Sequence, residues 1–446
     1  MLSLWADRTR LPQFPSLEED IHTDVLVIGG GMAGLLCAWF LKQAGVDCAV
    51  AEADVICGWN TKNTTAKITA QHGLIYDTLI KETGEEKAKM YLEANLAALE
   101  KYAELCQNWD CRFERRNSYV YSLNHQEKLE REMKALEKLG YRARFADALK
   151  LPFSVVGAVC FLNQAQFDPL EFVSFLVRDL KIYEHTAIRE IRKNTAVTDR
   201  NIKITADSFL VATHFPFMNK HGMYFMKMYQ QRSYCIALEN AGDVEGMYVD
   251  EAQNGLSFRN DGGFLLLGGG GHRTGKDGGC WQELRHFAGR FYPKAAERYY
   301  WAAQDCITLD EIPYIGRYSP GLSNVYAATG FNKWGMTSSM AAAQILADMI
   351  QGKENPYAAV FDPSRPVKKT AMLKNGMESV ANLLSPSKKR CPHLGCALKW
   401  NPTEHSWDCP CHGSRFAADG SLLDNPATGP LKMRQEKSEE KAFSSR

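Results

Sequence analysis

The hydrophobic pattern first becomes regular at Asp24–Ile28, a short β-branched run that gives way to Gly29, Gly30, Gly31, Met32, Ala33 and Gly34. Residues 35–45 then carry apolar side chains at helical spacing, so the stretch predicts strand, tight turn and helix. A second strand is predicted over 47–54, DCAVAEAD. Three later segments continue the alternation. DSFLVATHFP at 207–216 reads as a buried strand and turn, and DEIPYIG at 310–316 as a turn after a short strand. Residues 325–350 read as a strand, a glycine-punctuated loop and a long apolar helix. Between them, SFRNDGGFLLLGGGGHRTG at 257–275 reads as a hairpin. Its glycines 268–271 could instead form a second phosphate loop, although the next helical segment starts only near Gly279. A helical pattern returns over 368–384.

The glycine turn carries the first candidate chemistry. Gly29 makes the turn, Gly31 lets the backbone approach a pyrophosphate, and Gly34 lets the helix pack closely on the strand. The helix start at Met32 and Ala33 offers unpaired N–H groups to phosphates. Glu52 stands near the distance at which an acid binds a ribose 2′-OH. The motif does not choose between FAD and NAD. The 325–350 helix would point its N-terminus, near Gly335, Met336 and Thr337, into the same pocket, where partial positive charge suits the N1–C2=O edge of a reduced flavin.

Composition narrows the class. At 446 residues with 45% hydrophobic and 24% charged positions, the chain has room for two or three ordinary globular domains. A net charge of +1 with interspersed signs gives no field for nucleic acid or an anionic membrane. Charge runs such as KETGEEKAKM at 81–90 read as solvated helix faces. No early apolar run resembles a signal peptide and no stretch resembles an integral membrane segment, so a cytoplasmic protein is expected. Nine of the thirteen cysteines are scattered, as buried reduced thiols would be, and four fall between 391 and 411.

Taken in order, these segments resemble the FAD-dependent amine and amino-acid oxidoreductases of the glycine oxidase, D-amino-acid oxidase and sarcosine oxidase group. The resemblance spans about 22–362 and adds GWNTKNTTAKIT at 58–69, AQFDPLEF at 165–172 and EHTAI at 184–188. It implies an α/β chain, α+β overall, with a Rossmann-like FAD-binding domain from 1–85, 151–218 and 305–362. An inserted antiparallel-sheet substrate domain would come from 86–150 and 219–304. It also implies flavin contacts at Thr64, Thr65, Ala66 and Gly330, and adenine against the backbone at Ile188. The implied chemistry is hydride transfer from a C–H beside nitrogen to flavin N5, with the protein supplying orientation and electrostatics. Arg232, Tyr234, His272 and Arg273 are candidates to line the substrate site, with structural or surface roles as the alternative. Where amino-acid oxidases of this group often place an arginine for the substrate carboxylate, this chain has Gln304, Asp305 and Cys306. That departure favours an amine without a carboxylate, or a larger partner-bound substrate.

The second candidate site is CPHLGC at 391–396 with CPCHGSRF at 409–416. Two thiolates and two imidazoles could hold zinc. Each loop, however, supplies one cysteine and one histidine, and the pair resembles the cluster-binding part of Rieske proteins. That resemblance implies a [2Fe–2S] cluster with Cys391 and Cys409 on one iron and His393 and His412 on the other. It also implies a Cys396–Cys411 disulfide, with two free thiols as the alternative. Neutral imidazoles would raise the potential above that of four-cysteine clusters. Trp400 and Trp407 are expected to be packing residues. The all-β cluster unit, 391–431, is too short for a core of its own without metal or a docking partner. The strands that usually precede the first cluster loop are not visible in the linker 363–390, so the unit either packs directly on the flavin domain or is a shortened form. The tail, 432–446, is expected to be disordered. Together the resemblances imply an oxidoreductase that moves electrons between FAD and the cluster, with a small amine-like substrate and a possible redox partner protein. An oxygen-using oxidase with a vestigial cluster and a non-catalytic redox sensor are the competing readings.

Overall fold

The computed structural model describes residues 2–219, 221–387 and 389–432. Ile21–Ile28 lies at the heart of an eight-stranded sheet, parallel to Cys48–Ala51 on one side and to Lys203–Val211 on the other. Val25, Leu26, Val27 and Ile28 are all buried, which is why the run is continuously apolar rather than alternating. Leu322–Thr329 extends the sheet beyond Lys203–Val211, and Lys181–Tyr183 closes the other edge. The helices Met32–Gln43 and Gly335–Ile350 pack against each other in the main core.

A nine-stranded sheet forms the second layer and contains Met228–Glu239, Ala296–Thr308 and the hairpin Ser257–Asp261/Phe264–Arg273. Glycines 268–271 lie within a strand of that hairpin, not in a phosphate loop. Gly157–Gln166 and Lys67–Ile68, placed in the flavin domain by the sequence boundaries, pair in this sheet instead. Conversely, the helix Glu85–Cys106, assigned to the substrate domain from residue 86 on, packs against Gly335–Ile350. Buried strands and amphipathic helices carry no label for the layer they join, so the sequence boundaries missed both exchanges.

Residues 391–432 form a small unit around a four-stranded sheet, Lys399–Asn401, Ser406–Asp408, Arg415–Ala417 and Leu422–Asp424. Among the described residues, the 363–390 connection holds the helix Lys369–Leu384 and no strand. The small unit packs directly on the larger body. Gln230 Nε2 donates to the His412 carbonyl at 2.8 Å, and Gln304 Nε2 donates to the Gly413 carbonyl at 2.8 Å. The 433–446 part of the expected disordered tail lies outside the described residues. Among the described residues, no helix is long and apolar enough to cross a membrane.

Candidate functional site

A cavity of about 1200 Å³ runs from the glycine turn to the nine-stranded sheet. Gly29 has φ +111°, and a Cβ there would stand 2.6 Å from the Ala212 carbonyl oxygen, so the turn requires glycine. A Cβ on Gly34 would fall 1.9 Å from the Gly29 carbonyl oxygen. That residue brings helix and strand together without facing the cavity. Gly29, Gly31, Met32, Ala33, Glu52, Thr64, Thr65, Ile188, Gly330, Gly335 and Met336 all border the cavity. Ala66 and Thr337 do not: the Ala66 carbonyl accepts from Arg259 at 2.9 Å, and Thr337 Oγ1 lies 3.1 Å from the Thr69 carbonyl. Neither helix, starting at Met32 or at Gly335, is capped by its own N-cap residue; Thr61 Oγ1 accepts from the Met32 N–H at 3.0 Å, and the other first-turn N–H groups are left for an anionic ligand. Glu52 accepts from the Gly30 and Asp54 backbone N–H groups at 2.6 and 2.9 Å, while burial raises its pKa.

The 58–69 loop is held by residues that the sequence reading did not single out. Trp5 Nε1 donates to the Thr64 carbonyl at 2.8 Å. Fully buried Arg259 donates to the Thr65 carbonyl at 3.0 Å and pairs with Asp261 at 2.9 Å. Arg8 ties Asp261 to Asp168 at 2.7 and 3.0 Å. Lys67 lines the cavity beside this network, where burial and then the Arg259 charge pull it down to about 7. The sequence signal for the clamp was slight: an apolar start ending in Trp5, ahead of a polar stretch.

Strand parity divides the substrate-site candidates. Met228–Glu239 and Ala296–Thr308 pair so that Gln231 faces Asp305 and Ser233 faces Ala303, and these four border the cavity. Arg232 and Gln304, on the opposite parity, bind the cluster unit. Arg232 Nε donates to Glu404 Oε1 at 2.9 Å, and the Tyr234 hydroxyl lies 2.9 Å from both Glu404 Oε1 and His272 Nε2. Arg273 donates to the Cys411 carbonyl at 3.2 Å and to Asn375 Oδ1 at 2.8 Å. Of the four candidates only Tyr234 also borders the cavity; Arg232 and Arg273 seat the cluster unit, and His272 stands behind Tyr234 rather than lining a substrate site. A one-residue change of parity exchanges the two faces of a strand, and composition alone does not fix it. Glu404 belongs to this seat. Although burial opposes it, Arg232 and Arg415 hold its carboxyl down to about 2.

In the cluster loops, the Cys391 and Cys409 thiols lie within hydrogen-bonding reach of each other, which brings Cys391 down and pushes Cys409 up. The His393 and His412 rings stand 5.0 Å apart, nearly perpendicular. Both Nδ1 atoms are buried without a hydrogen-bond partner, and burial keeps both imidazoles neutral. His393 Nε2 meets Asn219 Oδ1 at 2.7 Å. Paired orphan nitrogens are costly unless something binds them, and neutral imidazole nitrogens beside two thiols suit a metal centre. Cys396 and Cys411 are joined by a disulfide. Cys396, Cys409 and Cys411 have sulfurs within 4.8 Å of one another, but the disulfide consumes two of these and leaves Cys409 for a metal. Trp400 and Trp407 pack together, with ring centroids 5.0 Å apart.

The cluster unit also walls the cavity, through 422–425 and 427–430. The His393 ring lies 6.5 Å from that of Phe215, whose neighbours Thr213 and His214 border the same cavity.

The family model described as FAD dependent oxidoreductase (DAO) matches residues 24–349, and the Rieske [2Fe-2S] domain matches 381–435. The chain belongs to the FAD dependent oxidoreductase family, with a Rieske domain at its C-terminal end. Its cofactors are FAD and a Rieske-type [2Fe–2S] cluster. The putative Rieske 2Fe-2S iron-sulfur protein YhfW of Bacillus subtilis is 34% identical and covers 96% of each chain. That alignment runs to 491 positions against 446 residues here, so at least 45 positions of the relative have no counterpart in this oxidoreductase. The cytochrome b6-f complex iron-sulfur subunit 3 of Nostoc sp. is 56% identical over 45 residues, 10% of this chain and 25% of that one. Among solved structures, glycine oxidase from Geobacillus kaustophilus superposes with a TM-score of 0.66 at 16% identity, covering 78% of this chain and all of that one. L-proline dehydrogenase from P. horikoshii gives 0.65 at 18% identity, covering 78% and 98%.

Proposed function

We propose that this oxidoreductase oxidises a small amine-like molecule at the C–H next to nitrogen and exchanges the electrons one at a time with its Rieske cluster. When bound, FAD supplies the hydride acceptor and the cluster a one-electron carrier. Cys391 and Cys409 would hold one iron, and the Nδ1 atoms of His393 and His412 the other. The helix starts at Met32 and Gly335 would receive the anionic parts of FAD, with Glu52 at the ribose and Thr64 and Thr65 along the ring. Trp5 and Arg259 hold that loop in place.

The observation that carries the reading is the shared wall: the cluster unit borders the same cavity as the glycine turn, and the Thr213–Phe215 segment leads from that cavity to His393. The names of the solved neighbours, glycine oxidase and L-proline dehydrogenase, favour a donor carbon beside nitrogen. Exposed Leu394, next to His393, leaves the cluster edge open to a redox partner protein. The test is anaerobic mixing of the holoprotein with a panel of amines, following flavin absorbance and the electron paramagnetic resonance signal of the reduced cluster together. An amine that bleaches the flavin and raises the cluster signal is the expected result. Bleaching with no cluster signal, or no bleaching by any amine, would refute it.

A further inference from the structure

The helix Glu85–Cys106 ends on a thiol, and after the connection 107–110 Cys111 leads towards the strand Glu114–Ser122. Cys111 Sγ donates to Cys106 Sγ at 2.9 Å. A disulfide bond is about 2.05 Å long, so closing one here asks for a small movement of two side chains. Among the described residues, eleven cysteines lie outside the Cys396–Cys411 disulfide, and Cys106 alone of these is not buried. Both thiols line a surface hollow of about 580 Å³ with Gln107, Asn108, Asp110 and Arg112, and neither borders the flavin cavity. Trp109, between them, anchors the connection: it lies edge-on to Trp39 and Phe172, with centroids at 6.1 and 5.1 Å, and is stacked on Phe175 at 6.0 Å. The Cys111 carbonyl accepts from the Asp168 N–H at 2.9 Å, and Asp168 holds Arg8 of the flavin-loop clamp at 3.0 Å.

A reachable thiol with a second thiol held directly behind it is the arrangement that thiol–disulfide exchange requires. We propose that Cys106 and Cys111 form a reversible modification site, which reacts with a low-molecular-weight disulfide and closes into a second disulfide that stiffens the 107–113 connection. The Cys106 thiolate attacks one sulfur of RS–SR, forming a mixed disulfide and expelling RS⁻. The Cys111 thiolate then attacks the Cys106 sulfur and expels the second RS⁻. Two electrons pass from the protein thiols to the small disulfide, and the two thiol protons end on two RSH. The hydrogen bond with Cys111, and then burial, push the Cys106 thiol up, so exchange quickens as pH rises. Closure ties the end of the long helix to the residue that supports Asp168.

The test equilibrates the holoprotein with oxidised and reduced glutathione at a series of ratios. Each sample is quenched in acid, unfolded, treated with N-ethylmaleimide and mapped by peptide mass. Cys106 and Cys111 are expected to lose both labels together as the oxidised share rises, while Cys37, Cys160 and Cys235 keep theirs. Slower amide hydrogen exchange over 107–113 in the oxidised protein is the expected structural sign. Cys111→Ser is expected to stop at a glutathione adduct on Cys106. Cys106→Ser, at the more exposed position, is expected to leave Cys111 labelled at every ratio. Labels retained by the wild type at every ratio, or lost without any change in amide exchange over 107–113, would overturn the proposal.

Discussion

At the residue scale, the histidines make the sharpest prediction. His412 Nδ1 is buried and unpartnered, so His412→Ala should cost the protein its cluster iron and its Rieske resonance and, through the cavity wall that the cluster unit supplies, lower its FAD content as well. Iron analysis and the flavin spectrum of one preparation check both halves. Glu404 makes the second. Its carboxyl sits at about 2, below its ordinary 4.5, so its contribution to stability is fully present above pH 4.5 and is lost as pH falls through about 2. The difference corresponds to roughly 3 kcal/mol. Glu404→Gln leaves Arg232 and Arg415 without their shared carboxylate and should loosen the cluster unit by about 3 kcal/mol at neutral pH. Faster amide hydrogen exchange over 391–432 is the expected readout, and unchanged protection would contradict it. Arg232 was legible as a functional arginine but not in its role, because the face on which a strand residue emerges depends on register, which only the folded sheet supplies. Asp305 stood out in sequence only as the absence of an arginine. Its pairing with Gln231 brought it into the site.

At the scale of elements, strand, glycine turn and helix were legible because local geometry dictates them: Gly29 and Gly34 leave no room for a side chain. Gly34→Ala would push a methyl group into the Gly29 carbonyl and should lower the melting temperature and the FAD content together. The N-terminal helix Leu4–Arg8 was not legible, since five residues carry no periodicity worth reading and its partner loop lies some sixty residues along the chain. Trp5→Ala removes both a fully buried ring and the hydrogen bond to the Thr64 carbonyl. Its cost should be about 3–5 kcal/mol, measured by denaturant unfolding, with weaker FAD retention as the local sign.

At the scale of the whole molecule, the alternating strands and helices and the two cofactor patterns were readable in order, but the contact between them was not. That contact is made by Gln230, Arg232, Gln304 and Arg273, none of which lies in a motif. Gly413 and Gly275 complete it at close range: a Cβ on Gly275, where φ is +76°, would sit 2.7 Å from the Pro410 nitrogen. A protein ending at residue 362 would expose buried Arg232 and Gln304 to water and open the cavity wall formed by 422–430. Such a truncation is expected to aggregate or to lose FAD on gel filtration, whereas a monodisperse yellow fragment would show that the flavin domain stands alone.

The shared wall has a further consequence for how the protein matures. Because residues 422–430 enclose the flavin cavity and belong to the unit folded around the iron ligands, iron–sulfur insertion and flavin uptake become steps of one assembly line. Cells starved of iron should therefore accumulate this chain not as a yellow intermediate waiting for its cluster, but as a flavin-poor, protease-sensitive form.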